Sequence, residues 1–176
     1  MNRLVIVGAS GMVGGCALRY ALEHSNVERV TSVGRRKLSI SHPKLTEVLR
    51  PDFADCSALA GALRGQDAAI CCLSVYTGAV TDAELRTITV DYTVEFAQVS
   101  SREQPRCGIL ILEREWRRPN GPESDGLRSL QGDAENALSN WVSSRLHLPV
   151  RVHLPRRGAQ GAEFQLPRVA CDLPHV

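Results

Sequence analysis

Apolar positions along the first hundred residues alternate between strand-like runs and helix-like spacing. Leu4 to Val7 is a short unbroken apolar run, and from Met12 to about His24 the residues Val13, Ala17, Leu18, Ala21 and Leu22 recur at the spacing of a helix that buries one face. Val27 to Val33 and Leu45 to Leu49 read as strands, Ser57 to Leu63 as a short helix, and Ala68 to Leu73 as the continuous apolar run of a central parallel strand. A loop at Ser74 to Thr81 leads into Asp82 to Ser100, where Leu85, Ile88, Val90, Val94, Phe96 and Val99 predict a long helix crossing back over the sheet. Strands alternating with helices in this way build βαβ units, so the predicted fold class is α/β, a doubly wound parallel sheet.

The pattern weakens after about Glu103. Seven of the nine prolines lie from Pro105 onward, whereas neither lysine and none of the three tyrosines does. Gly108 to Leu112 predicts a fifth strand and Gly132 to Val142 a helix, while the last thirty residues hold neither period. The chain is therefore divided into residues 1–105, which carry the α/β pattern, and residues 106–176, where the sheet is expected to be incomplete or disturbed.

Composition narrows the function classes. A chain of 176 residues, 43% hydrophobic and 23% charged, is the size of one globular domain. A formal charge of +2 is too mild for a nucleic-acid footprint. Six cysteines form no CxxC pair and no metal-ligand spacing with the five histidines, which argues for reduced thiols in the cytoplasm over a disulfide scaffold or a zinc site. The apolar run before Gly8 is too short for a signal-peptide core or a membrane span.

The chemistry-bearing motif is Gly8-Ala-Ser-Gly11-Met-Val-Gly14, between the first predicted strand and the first predicted helix. In that context Gly8 permits the tight turn, Gly11 lets a pyrophosphate approach the backbone, and Gly14 lets the helix press on the strand. The helix N-terminus then meets the phosphates with free N–H groups and positive dipole. Gly34-Arg-Arg-Lys37 follows the second strand, where an acid would bind the ribose of NAD; guanidinium groups suit the 2′-phosphate of NADP. NADP is the expected cofactor, with NAD as the alternative.

Asp52 and Phe53 close the third strand region, as an adenine contact or as a turn, with Asp55 the cap of the following helix. Cys71 and Cys72 read as core packing rather than redox chemistry. The expected cofactor contacts are thus Gly8, Ser10, Gly11, Met12, Val13, Gly14, Arg35, Arg36, Asp52, Phe53, Cys72, Leu73 and Ser74.

Val5-Ile-Val-Gly-Ala-Ser-Gly-Met-Val-Gly14, Val33-Gly-Arg-Arg-Lys-Leu38, Ile70-Cys-Cys-Leu73 and Val90-Asp-Tyr92 together resemble the atypical short-chain dehydrogenase/reductases, in particular the Tat-interacting-protein-like oxidoreductase branch. The resemblance covers about residues 3–100. It implies an NADP-binding Rossmann fold, an Asp and apolar residue beside the adenine ring at Asp52-Phe53, and catalysis by a Ser and a Tyr-x-x-x-Lys. Two departures stand out. Ser74 occupies a position where the branch commonly has Gly, and no Tyr-x-x-x-Lys exists: Tyr20, Tyr76 and Tyr92 are followed four residues later by His24, Val80 and Phe96. No catalytic residue is assigned.

Back-translation of residues 107–132 with freely chosen synonymous codons, read in the next frame, gives a string that looks like this family's fifth strand and helix. From Ser139 the shifted frame again gives a family-like string. The expectation is that compensating single-base insertions or deletions lie around 106, 132 and 139. Three readings follow: an NADP-binding oxidoreductase-like protein of the epimerase/dehydratase-like type acting on a small molecule, a non-catalytic NADP-binding sensor, or an inactive product of a frameshifted gene.

Overall fold

The computed structural model describes residues 2–73, 75, 79–104, 108–111, 133, 136 and 137. Its elements run β1 (Asn2–Val7), α1 (Met12–Glu23), β2 (Val27–Gly34), β3 (Leu45–Leu49), a 3₁₀ turn (Ser57–Leu59) that runs into α2 (Ala60–Leu63), β4 (Ala68–Cys71), α3 (Asp82–Arg86), a π-helical turn (Thr87–Asp91), α4 (Tyr92–Glu103) and β5 (Gly108–Ile111). The five strands form one parallel sheet in the order β3-β2-β1-β4-β5. The α/β parallel class expected from the sequence is the class observed.

The two faces of the sheet separate by the two-residue period of a strand. Val5, Val7, Ala69, Cys71 and Ile109 join Phe53, Leu59, Leu63 and Phe96 in one buried cluster, which places α2 and α4 on that face. Ile6 turns the other way, into a second cluster with Leu18, Ala21 and Leu22 of α1. Helices therefore cover both faces of the described sheet, as β-α-β crossovers in a parallel sheet require.

Three elements differ from their predicted form. The apolar run Ala68–Leu73 ends as a strand at Cys71, because after Cys72 donates its N–H to Val7 O at 2.9 Å the ladder with β1 has no further partner: β1 gives way to the Gly8 turn. The helix predicted over 57–63 opens as a 3₁₀ turn. The helix predicted over 82–100 extends to Glu103 and contains a π-helical turn where Thr87, Ile88, Thr89 and Val90 stand in a row. Four consecutive β-branched side chains crowd the preceding turn, and a wider turn relieves them. Of the helix predicted over 132–142, residues 133, 136 and 137 are helical and the rest lie outside the described residues; Leu112 also lies outside them.

No helix among the described residues is long and apolar enough to cross a membrane, and no cluster of His, Cys, Asp or Glu among them has metal-binding geometry.

Candidate functional site

Successive strands step away from β1 in opposite directions, β2 and β3 to one side and β4 and β5 to the other. The chain leaving β1 and the chain leaving β4 must then diverge at their carboxyl ends, which opens a crevice at that edge of the sheet. The glycine loop lies there.

Gly8 follows β1 with φ +81°, a left-handed conformation natural to glycine. A Cβ at Gly8 would also stand 2.6 Å from the Cys72 carbonyl oxygen, so this turn packs backbone to backbone on the end of β4. A Cβ at Gly14 would lie inside van der Waals contact with the Gly8 carbonyl and 3.0 Å from Ala9 Cα. Gly14 is thus what lets α1 start flush against the end of β1.

The start of α1 is left open. Gly11 is its N-cap and supplies no side chain, the first turn holds no acidic residue, and Gly11 spends its own N–H on Gly8 O at 3.0 Å. The N–H groups of Met12, Val13 and Gly14 have no hydrogen-bond partner among the described residues. A helix start with three unanswered donors carries a local positive potential and calls for an acceptor from outside the helix. Ser10, Gly11 and Met12 are exposed around these donors, Met12 at 52%.

Arg35 and Arg36 lie just beyond β2 at the same edge, both exposed, and neither makes an ion pair with another described residue. Beyond β3, Asp52 closes an Asx turn, its Oδ1 accepting the Ala54 N–H at 2.9 Å, while Asp55 Oδ1 accepts the Ser57 N–H at 2.8 Å. Asp55 thus meets the first N–H of the turn through an Asx bond, but the N-cap position expected for it is occupied by Cys56, which makes no side-chain cap bond. Phe53 is buried in the core, where its ring meets that of Tyr92 with centroids 6.2 Å apart.

Tyr92, at the start of α4, joins these groups although it was not among the expected contacts. Burial first, and then the Asp52 carboxylate lying against its hydroxyl, push the Tyr92 phenol above its ordinary value, with the Arg35 guanidinium opposing. One helical turn on, Glu95 Oε1 accepts the Cys56 N–H at 3.3 Å. Arg35, Asp52, Phe53 and Tyr92 are thus brought together, and the glycine loop stands nearer β4. Cys72 and Leu73 are half-buried at the end of β4, Leu73 packed on the core; Ser74 lies outside the described residues.

No protein-family model matches the chain. Solved structures do. A mutant of uronate dehydrogenase from Agrobacterium tumefaciens complexed with NAD aligns with a TM-score of 0.61 at 16% identity, over 81% of this chain and 57% of its own. DesIV, a dTDP-glucose 4,6-dehydratase from Streptomyces venezuelae with NAD and TYD bound, aligns with a TM-score of 0.62 at 15% identity, over 81% and 52%. A short chain dehydrogenase family protein from Francisella tularensis aligns with a TM-score of 0.61 at 12% identity, over 81% and 63%. The fold is a Rossmann fold.

At these identities the likeness is one of fold, and the chain spans between 52% and 63% of the length of these three structures. Within the Rossmann sheet, the residues that the sequence singles out by a local signal, the glycines and the paired arginines, lie at the carboxyl edge. Tyr92 and Glu95 carry no such signal, because their partners Phe53 and Cys56 lie 39 residues away in each case.

Proposed function

We propose that the protein binds a nicotinamide dinucleotide, NADP in preference to NAD. We further propose that it is an oxidoreductase-like member of the atypical, epimerase/dehydratase-like short-chain dehydrogenase/reductases, close to their Tat-interacting-protein-like branch. The observation that carries this reading is the row of unpartnered N–H groups on Met12, Val13 and Gly14 at the open end of α1, in the crevice beyond β1 and β4. Two of the structures that share the fold carry NAD in their descriptions.

The residues present fit such a group. Three backbone donors at the start of α1 offer a diphosphate its hydrogen bonds, and a Cβ at Gly11 would press on the Gly8 carbonyl oxygen at 3.3 Å. Arg35 and Arg36 offer two free guanidinium groups to a phosphate on the neighbouring ribose. When bound, the cofactor supplies hydride chemistry at its nicotinamide ring. The chain's own part is to hold the diphosphate, to select the 2′-phosphate, and to orient a small carbonyl or sugar-like substrate.

A second reading is a binding protein that senses NADP without turnover. It is favoured by the lack of any Tyr-x-x-x-Lys, the usual proton donor and its cationic partner. Titration of the folded protein with NADPH and NADH, followed by a panel of carbonyl substrates, separates these readings. Binding with oxidation supports the enzyme, and binding without oxidation across the panel supports the sensor. Absence of binding to either dinucleotide overturns both. Replacing Arg35 and Arg36 by Ala is expected to weaken NADPH by about tenfold to a hundredfold and NADH little; equal losses would remove the case for NADP.

A further inference from the structure

β2 and β3 are parallel neighbours, so the chain must cross over between them, and such a crossover usually takes about a dozen residues or more built round a helix. Here Arg35 to Lys44 make the crossing without one. Leu38 and Ile40 pack instead on the buried cluster that holds Leu18 and Leu22 of α1, as does Leu45. A segment with no hydrogen-bonded ladder of its own keeps its place only through what its ends and side chains are tied to.

Two ties bracket the basic turn in this crossing. Before it, the Gly34 carbonyl accepts the Arg50 N–H at 2.9 Å, at the end of the β2–β3 ladder. After it, Glu47 Oε2 accepts the Leu38 N–H at 2.8 Å. Glu47 stands on β3 two residues after Leu45, on the same face, and is half-buried there. Arg35, Arg36 and Lys37 lie between the two ties, all exposed. Glu47 makes no ion pair with any of the three among the described residues, so the acid holds the backbone of the turn and leaves its cations unpaired. Long flexible side chains on a turn fixed at both ends reach a ligand without first having to order the turn.

We propose that Glu47 is the positioning residue of the phosphate-selecting turn: by holding the Leu38 N–H it fixes the backbone of Arg35, Arg36 and Lys37, so that the guanidinium groups meet a phosphomonoester on the cofactor's ribose. The proposal rests on the NADP reading above. It assigns part of that selectivity to an acid, which by its charge alone would oppose a phosphate, acting through a backbone N–H.

The test uses the whole chain with NADPH and NADH. Glu47→Ala removes the acceptor, and affinity for NADPH is expected to fall about threefold to tenfold while that for NADH stays within about twofold. Glu47→Gln keeps an acceptor oxygen at the same reach and is expected to hold NADPH binding within about twofold of wild type. Should the Ala variant not fold, Glu47→Met covers the same surface without a carboxyl and carries the same expectation. In a chain that already carries Arg35→Ala and Arg36→Ala, Glu47→Ala is expected to weaken NADPH by no more than about twofold further, because it acts through those groups. An equal fall for both dinucleotides marks a purely structural role and overturns the proposal. A rise in NADPH affinity in both the Ala and Gln variants also overturns it, since Glu47 would then act as a repelling charge. A wild-type chain that binds neither dinucleotide sinks the nucleotide reading itself, and one that binds both alike sinks the NADP preference; either takes this proposal with it. A wild-type chain that prefers NADPH, with that preference intact in Glu47→Ala, sinks only the role of Glu47.

Discussion

A single methyl group separates the glycine packed against the end of β1 from one that is free of neighbours. At Gly14 it has nowhere to go, since the Gly8 carbonyl and Ala9 Cα already fill the space. Gly14→Ala is therefore expected to cost about 1 to 3 kcal/mol by forcing α1 off the end of β1. At Gly61, in α2, a Cβ meets nothing within 4 Å, and Gly61→Ala is expected to be neutral or to stabilise by about 0.5 to 1 kcal/mol. Urea unfolding of the two variants beside the wild type checks both, and equal shifts would contradict the packing assigned to Gly14. The thiols show the same dependence on surroundings. Burial, helped by the Glu95 charge, pushes the Cys56 thiol up to about 12, and burial likewise raises Cys71 and Cys72. They stay protonated at neutral pH and behave as small apolar groups, the reading the sequence suggested for Cys71 and Cys72. Residue-scale features of this kind are legible when their cause is local. The Phe53–Tyr92 and Glu95–Cys56 contacts arise only when the sheet brings distant segments together, and no spacing in the sequence announces them.

Among the elements, the helix after β4 shows how sequence pattern and packing divide the work. Its start is built by Thr81 and Glu84, which form a reciprocal capping box. Hydrogen bonds from the Thr81 backbone N–H and then from its hydroxyl hold the Glu84 carboxyl below its ordinary value. A lowered value in the folded state means that the bond contributes fully above the carboxyl's unfolded value and is lost as pH falls through the folded one. Thr81→Ala is expected to cost about 1 kcal/mol at pH 7, with the difference from wild type shrinking toward pH 3. Urea midpoints at the two pH values measure it, and a difference that grows on acidification would contradict the capping geometry. The apolar period from Leu85 to Val99 made this helix legible. The π-helical turn at Thr87–Asp91 did not show in that period, because it shifts the backbone by one residue without removing the buried positions Leu85, Val90 and Phe96.

On the scale of the whole molecule, the sheet order follows from chain topology. The strand order reverses direction after β3, and with the right-handed crossovers usual for parallel strands that reversal puts the connecting helices on opposite faces of the sheet. Strand and helix signals in the first hundred residues were strong enough to give that class. They faded where proline accumulates and β-branched runs thin out, and residues 112–132 lie outside the described ones. For residues 106–176 we propose a coding-frame origin, with compensating single-base changes around 106, 132 and 139. Sequencing the coding DNA and the peptides made from it is expected to reveal the shifted frame, and an unchanged reading ends that idea.

The Gly8 peptide joins three pieces of chain at one point: it ends β1, receives the Gly11 N–H, and lies against both the Cys72 carbonyl and the start of α1. Such a junction works as a mould cast in advance. On the proposed reading, a diphosphate arriving there meets a loop already in place, so the entropy of organising it is settled at folding rather than at capture.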